Sequence, residues 1–191
     1  MHPLLNELLE GRPPEWMVAG GARVAHMDRV GALMDAWAAD LSLPADECRR
    51  WRAAALAHDL LRDQTPEELR THLPPGLAEL PGALLHGPVG AEFLRLSGVE
   101  DGELLTAIAF HTLGDPRFRR LGRALYAADF LDPGRTFMQD WRAARRARMP
   151  LELDAVVREV ATVRIGHQLE RGAPIQPRTV EFWNSLAQGT A

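Results

Sequence analysis

Six residues of this chain combine imidazole and carboxylate in a way that could grip a cation: His26, the adjacent pair His58-Asp59, His86, His111 and Asp129. Most stand among small or apolar neighbours: Ala25 and Met27, Ala57 and Leu60, Leu84 and Leu85, Ala109 and Phe110, Ala127 and Ala128. Such surroundings imply burial, and a buried polar or charged group without partners costs several kcal/mol. Taken singly, each histidine reads as a core residue satisfied by a neighbour, and the His-Asp pair as a helix end facing solvent or capping a backbone group. Six in the order His…His-Asp…His…His…Asp are better explained by a shared cation. Imidazole mixed with carboxylate suits a divalent transition metal such as iron(II), manganese or zinc, whereas magnesium prefers oxygen alone. This reasoning does not choose between one ion and two.

Helices must bring these residues together. A first helix is expected over residues 4–9, stopped by Gly11 and Pro13-Pro14. Over about 22–41, Val24, Met27, Val30, Leu33, Met34 and Trp37 recur at helical spacing, with His26 inside. Ser42, Pro44 and the acidic pair Asp46-Glu47 mark the next start, and that helix ends in His58-Asp59 and Leu60-Leu61. Thr65-Pro66-Glu67-Glu68 reads as a capping box. The stretch 73–88, broken by Pro74, Pro75, Gly76, Pro81, Gly82, Gly87 and Pro88, is expected to be irregular and to deliver His86 just before a helix over 89–96, closed by Gly98. Asp101 opens a helix ending at His111-Thr112. Asp115-Pro116 opens another that reaches Asp129 and Leu131 and stops at Asp132-Pro133-Gly134-Arg135. Two more are expected over about 137–148 and 151–171, and a last one from Pro177. β-branched residues are sparse and alternation is absent, so the fold class is all-α, a single compact multi-helix globule. Its expected organisation is an N-terminal helix and lead-in (1–20), a metal-binding core (21–136) and C-terminal helices completing the same domain (137–191).

Composition removes several function classes. At 191 residues, 46% hydrophobic and 25% charged, the chain suits one soluble domain. All 22 of its Lys+Arg positions are arginine, which reads as a compositional bias. A net charge of −4 offers no basic stripe for nucleic acid, while a few local arginines still suffice for a small phosphorylated substrate. The run Arg142-Ala143-Ala144-Arg145-Arg146-Ala147-Arg148 is read as a solvated helix face, and the tryptophans, Trp183 included, as core or interface. The single Cys48 fits a reducing cytoplasm. Neither a signal-peptide pattern nor an apolar run of about 18 residues is present. The expectation is a cytoplasmic protein with room for a small phosphorylated substrate, no nucleic acid and no membrane, in a form compatible with a homodimer.

Longer strings around these residues resemble the HD-domain phosphohydrolases, in particular their YqeK-type branch. They are Arg23-Val24-Ala25-His26, Leu56-Ala57-His58-Asp59-Leu60-Leu61-Arg62, Leu85-His86-Gly87-Pro88-Val89-Gly90-Ala91, Ala107-Ile108-Ala109-Phe110-His111-Thr112 and Leu125-Tyr126-Ala127-Ala128-Asp129-Phe130-Leu131-Asp132-Pro133-Gly134-Arg135, with a weaker tail from Pro174 through Asn184. The resemblance implies a helical HD domain that hydrolyses dinucleoside tetraphosphates symmetrically to two nucleoside diphosphates. It implies metal ligation by His26, His58, Asp59 and Asp129, with iron(II) foremost and manganese, cobalt or zinc as alternatives. It puts His86 and His111 on substrate phosphate or on a second ion, and Arg135 on phosphate. Arg23, Arg62, Thr112 and Asn184 complete the expected substrate contacts. Arg62 stands where relatives carry lysine, Asp132 where they carry glutamate and Gln176 where histidine is common; none of these removes an expected ligand.

The chemistry such a site supports is hydrolysis, because a cation lowers the pKa of water towards about 7. Asp59 would orient that water, Arg62 and Arg135 would stabilise phosphoryl charge, and His86 and His111 would do the same or protonate the leaving diphosphate. Two other readings remain beside this one: an HD phosphohydrolase of another nucleotide or phosphate ester, and a non-catalytic nucleotide-sensing module.

Overall fold

A computed structural model describes residues 1–73, 76–77 and 79–188; the expected break at Pro74-Pro75 lies outside them. In chain order its helices are α1 (Pro3–Leu9), α2 (Gly21–Asp40), α3 (Ala45–Ala57), α4 (Pro66–Arg70), α5 (His86–Leu96), α6 (Gly102–Phe110), α7 (Arg120–Leu131), α8 (Gln139–Arg146), α9 (Leu153–Glu170) and α10 (Pro177–Gln188), with a 3-10 turn at Gly82–Leu84 before α5. No strand occurs among the described residues, as the sequence leads one to expect.

The centre of the packing is α7, which touches α2, α3, α6, α8 and α9. Leu121, Gly122, Ala124 to Asp129 and Leu131 are all buried, so this helix is apolar nearly all round. Its alanines let neighbours approach closely, and each buried leucine contributes about 1.5–3 kcal/mol. On α2 the buried side chains His26, Met27, Val30, Gly31, Met34, Trp37 and Ala38 form one stripe at three- and four-residue spacing. That stripe lies against α3, whose Ala53, Ala54, Ala55 and Ala57 are buried. Leu5 and Leu8 of α1 join the same core.

One contact is set by a missing side chain. A Cβ on Gly87 would meet the backbone oxygens of Ala109 at 2.7 Å and Ile108 at 3.0 Å. The first turn of α5 therefore lies directly on the last turn of α6, and His86 faces His111.

Several local expectations hold. Thr65 and Glu68 form the reciprocal capping box, with Thr65 Oγ1 accepting from the Glu68 amide at 3.3 Å. Asp101 caps α6 by accepting from the Leu104 amide at 3.0 Å. Gly98 takes the left-handed conformation, φ +96°, behind α5.

Others are corrected. His86 is the first residue of α5, not a lead-in, since Gly87 and Pro88 fit within a first turn that has no amide partners to lose. Ser42 does not start α3: it sits at φ 51°, and the helix begins behind Pro44 without a side-chain cap. That helix ends at Ala57, leaving His58 to Leu61 in turns. Asp115-Pro116 does not open α7, because the Asp115 carboxylate is occupied by the backbone and guanidinium of Arg117 and by Arg178, and the helix begins at Arg120. The arginine run is not a solvated face either. Arg142 is buried, Arg145 and Arg148 both pair with Glu159 at 2.6 Å, and Arg146 donates to the Leu131 carbonyl at 2.7 Å.

Candidate active site

Five helices each deliver a piece of one buried cluster. His26 projects from α2, His58 caps the end of α3 with Asp59 following, His86 opens α5, His111 caps the end of α6 and Asp129 sits in the last turn of α7. All six side chains are buried.

Asp59 stands in the middle. Its Oδ2 lies 3.6 Å from His58 Nε2 and 3.9 Å from His26 Nε2. Its Oδ1 lies 3.1 Å from His86 Nε2 and 3.5 Å from His111 Nε2. Asp129 Oδ1 is 3.2 Å from His26 Nε2, and the Nε2 atoms of His86 and His111 are 3.1 Å apart. Two sets of ligand atoms have spacing suited to a metal ion: His26, His58 and Asp129, and His58, Asp59 and His111, the atoms of each set lying within 4.8 Å of one another.

The rings are oriented from behind. His58 Nδ1 lies 2.6 Å from the Ala55 carbonyl and His111 Nδ1 2.8 Å from the Ile108 carbonyl. A carbonyl only accepts, so both Nδ1 atoms carry a proton, which in the neutral ring leaves Nε2 as the lone pair facing the cluster. His26 Nδ1 lies 2.7 Å from Asp132 Oδ2, and Asp132 is itself held by Arg29 at 2.7 and 2.9 Å and by the Gly134 amide at 2.9 Å. Imidazole backed by carbonyl or carboxylate is how proteins hold metal-ligating histidines. The Nε2 atoms of His26 and His58 are buried and make no hydrogen bond. A donor set of convergent imidazoles and carboxylates with open lone pairs fits a divalent transition metal.

The electrostatics point the same way. Burial would lower the His26 pKa, but the carboxylates of Asp129, Asp132 and Asp59 outweigh it and raise it to about 9. Burial wins at His58, which falls to about 4, and it also lowers His86. Burial would raise Asp59, yet His58, His111 and His86 hold its carboxyl well below the usual range. Asp129 is likewise held low, against burial, by His26 and Arg164. Asp59 and Asp129 thus stay ionised at the centre of the cluster, while His58 and His86 favour the neutral ring that ligation of a cation requires.

A cleft of about 1110 Å³ opens onto this cluster. Arg23, Arg62, Thr112 and Arg135 line it, as the sequence leads one to expect. Arg23 Nη1 donates to Asp59 Oδ2 at 2.7 Å, and Arg135 Nη2 to Asp129 Oδ1 at 3.1 Å. Asn184 is exposed on α10 and is not part of the wall; from that end of the chain Gln176 and Thr179 reach it instead. Trp183 packs, half-buried, on the core. Sequence reasoning missed three residues. Arg164 of α9 donates to Asp129 Oδ2 at 2.8 Å and to the Thr112 carbonyl at 3.1 Å. Asp132 orients His26, and Arg142 lies buried in the cleft wall. The only local hint was at Asp132, one turn after Asp129 as Arg29 is one turn after His26.

The family model described as "HD domain" matches residues 23–157. Among curated proteins, the symmetrical bis(5'-nucleosyl)-tetraphosphatase of Halalkalibacterium halodurans is 31% identical over 139 residues, covering 70% of this chain and 73% of that protein. The Bacillus subtilis protein of the same name is 28% identical over 150 residues, covering 75% and 80%. A solved structure from Clostridium acetobutylicum, described as a "predicted HD superfamily hydrolase involved in NAD metabolism", superposes with a TM-score of 0.79 at 22% identity, over 98% of this chain and 96% of that one.

Proposed function

The chain belongs to the HD domain family, and from that premise we propose that it hydrolyses dinucleoside tetraphosphates symmetrically, giving two nucleoside diphosphates. The observation that carries this reading is the pair of buried, hydrogen-bond-free Nε2 atoms of His26 and His58 converging on Asp59 and Asp129. The names of the two curated relatives support the choice of substrate.

His26, His58, Asp59 and Asp129 would hold a divalent transition metal, iron(II) first, with manganese, cobalt or zinc as alternatives. The division of Asp59, Oδ2 towards His26 and His58 and Oδ1 towards His86 and His111, favours a second ion on the latter pair. A bound cation supplies positive charge that polarises a phosphoryl oxygen and acidifies water.

The protein's own groups do the rest. Asp59, kept ionised, accepts a hydrogen bond from the attacking water and aims its oxygen, while the proton passes to solvent. That oxygen bonds to one of the two central phosphorus atoms, and the bridging oxygen departs with the other half as a nucleoside diphosphate. Arg62 and Arg135 face the phosphoryl oxygens from the cleft wall, where fixed donors stabilise charge as it develops. The lowered pKa of His86 suits a neutral ring that orients or ligates rather than an imidazolium acid. Arg23 anchors Asp59, and Arg164 with Arg135 anchors Asp129. Because Arg164 comes from α9, the segment 137–191 is best counted with 21–136 as one domain. The lone Cys48 and the nucleotide substrate fit action in the cytoplasm.

The test is incubation of purified protein with iron(II), manganese or cobalt and diadenosine tetraphosphate. Adenosine diphosphate as sole product is expected. Adenosine monophosphate with adenosine triphosphate would overturn the symmetrical cut, and turnover of nucleoside monophosphates alone would overturn the substrate.

A further inference from the structure

Among the described residues Arg142 is the only arginine that is fully buried, at 1% exposure, and neither Nη1 nor Nη2 has a hydrogen-bond partner. Its Nε donates to the Phe137 carbonyl at 2.9 Å, and its guanidinium lies 3.8 Å from the Phe137 ring and 4.3 Å from the Phe130 ring. Among the described residues no carboxylate stands within ion-pair distance of it. Stacking on two rings does not offset the desolvation of a full charge.

Its surroundings make the vacancy of partners sharper. Arg142 lines the cleft, and burial, with Arg135 and Arg164 nearby, lowers its pKa to about 10. Other buried cleft-wall atoms without a hydrogen bond are mostly donors: Nε of Arg135 and Arg164, and the Tyr126 hydroxyl, which can donate. Only the ring nitrogens of the His/Asp cluster add acceptors. A wall of buried donors short of acceptors calls for a ligand rich in anionic oxygen. Arg135 and Arg164 each hold Asp129, whereas Arg142 neighbours both without touching it. Arg142 is therefore one guanidinium further from the cluster.

We propose that Arg142 is a phosphate-binding residue that takes the phosphoryl group next along the chain from the one over Asp59 and Asp129. The site then recognises a polyphosphate rather than a single phosphate. The inference rests on reading the cleft as a polyphosphate hydrolase site, and its fork of terminal nitrogens matches phosphate oxygens in pairs.

Inorganic pyrophosphate tests it on the metal-free full chain, by calorimetry and by thermal unfolding. Two variants are compared with the wild type. Arg142→Met removes the charge, and Arg142→Gln removes it while keeping a donor for the Phe137 carbonyl. The expected result is pyrophosphate binding by the wild type, weakened about tenfold or more in both folded variants, with an unchanged or higher Tm in the absence of anion. Orthophosphate binding should weaken less. A lower Tm with unchanged pyrophosphate affinity would mark Arg142 as a pin for the Phe137 segment and overturn the inference, as would failure of the wild type to bind. If the metal-loaded wild type leaves diadenosine tetraphosphate intact while pyrophosphate binding still depends on Arg142, the substrate reading fails and this one stands. If it cleaves the tetraphosphate and both variants bind pyrophosphate normally, the reverse holds.

Discussion

Two buried clusters of this protein join carboxylates to arginines, and they are finished differently. Asp115, wholly buried, accepts from the Arg117 amide at 2.8 Å, from its guanidinium at 2.8 and 2.9 Å, and from Arg178, which stacks 3.9 Å over Phe110. Nothing there is left over. Around Asp59 and Asp129 the backing is as thorough, with carbonyls and Asp132 behind the rings, yet Nε2 of His26 and His58 face inward without hydrogen bonds. Burying polar groups is costly in both places. In the first it is repaid by contacts within the chain, which ties α10 to the segment before α7. In the second the contacts end short of completion, which is the mark of a site that expects something from outside.

The sharpest way to break this contrast is to alter the open cluster. His58→Ala or Asp59→Ala should abolish turnover, beyond the roughly 10- to 100-fold that loss of an outer partner costs. Far-UV circular dichroism should stay helical, and a variant with near-normal activity would falsify the assignment. Asp132→Asn should be milder, weakening metal affinity or turnover by about 10- to 100-fold through a mis-held His26, as metal titration would measure. Asp115→Asn should do the opposite: Tm falls, while activity per folded molecule is kept. Arg117 and Arg178 are partly exposed, so the expected loss is about 1–3 kcal/mol.

The smallest effect is in acid. Burial would raise the Asp115 pKa, but Arg117 and Arg178 outweigh it and hold it below the ordinary value. A depressed carboxyl stabilises the fold above its unfolded pKa of about 3.9 and loses that contribution as pH falls through its folded value. Wild type and Asp115→Asn should therefore differ most above about pH 5, begin to converge as pH falls below about 4, and meet only below the folded-state pKa of Asp115. A difference that grows in acid would mean that Asp115 does not stabilise the fold as an ionised group.

What the sequence made legible follows from range. His26, His58-Asp59, His111 and Asp129 stand out because each is a polar residue in a local run that is otherwise small and apolar. The helices beneath them carry a 3.6-residue period that can be read along the chain. Arg164 could not be read, since its meaning lies in Asp129, 35 residues away. Arg142 was misread for a related reason: a run of arginines looks solvated unless one knows that Glu159, Phe130 and Phe137 close over it. Asp115 resembled a helix cap because its use by Arg178, 63 residues on, leaves no trace nearby. Asn184 entered through similarity in a weakly matching tail, and the turn of α10 carries it away from the cleft.

Gly87 has a consequence of its own. With main chain meeting main chain behind them, His86 and His111 are spaced by the backbones rather than by the choice of rotamers. Any larger residue there would act as a shim, its thickness read out as extra width between the two rings. The bite of this imidazole pair is thus gauged by a hydrogen atom, at a position that touches neither ring.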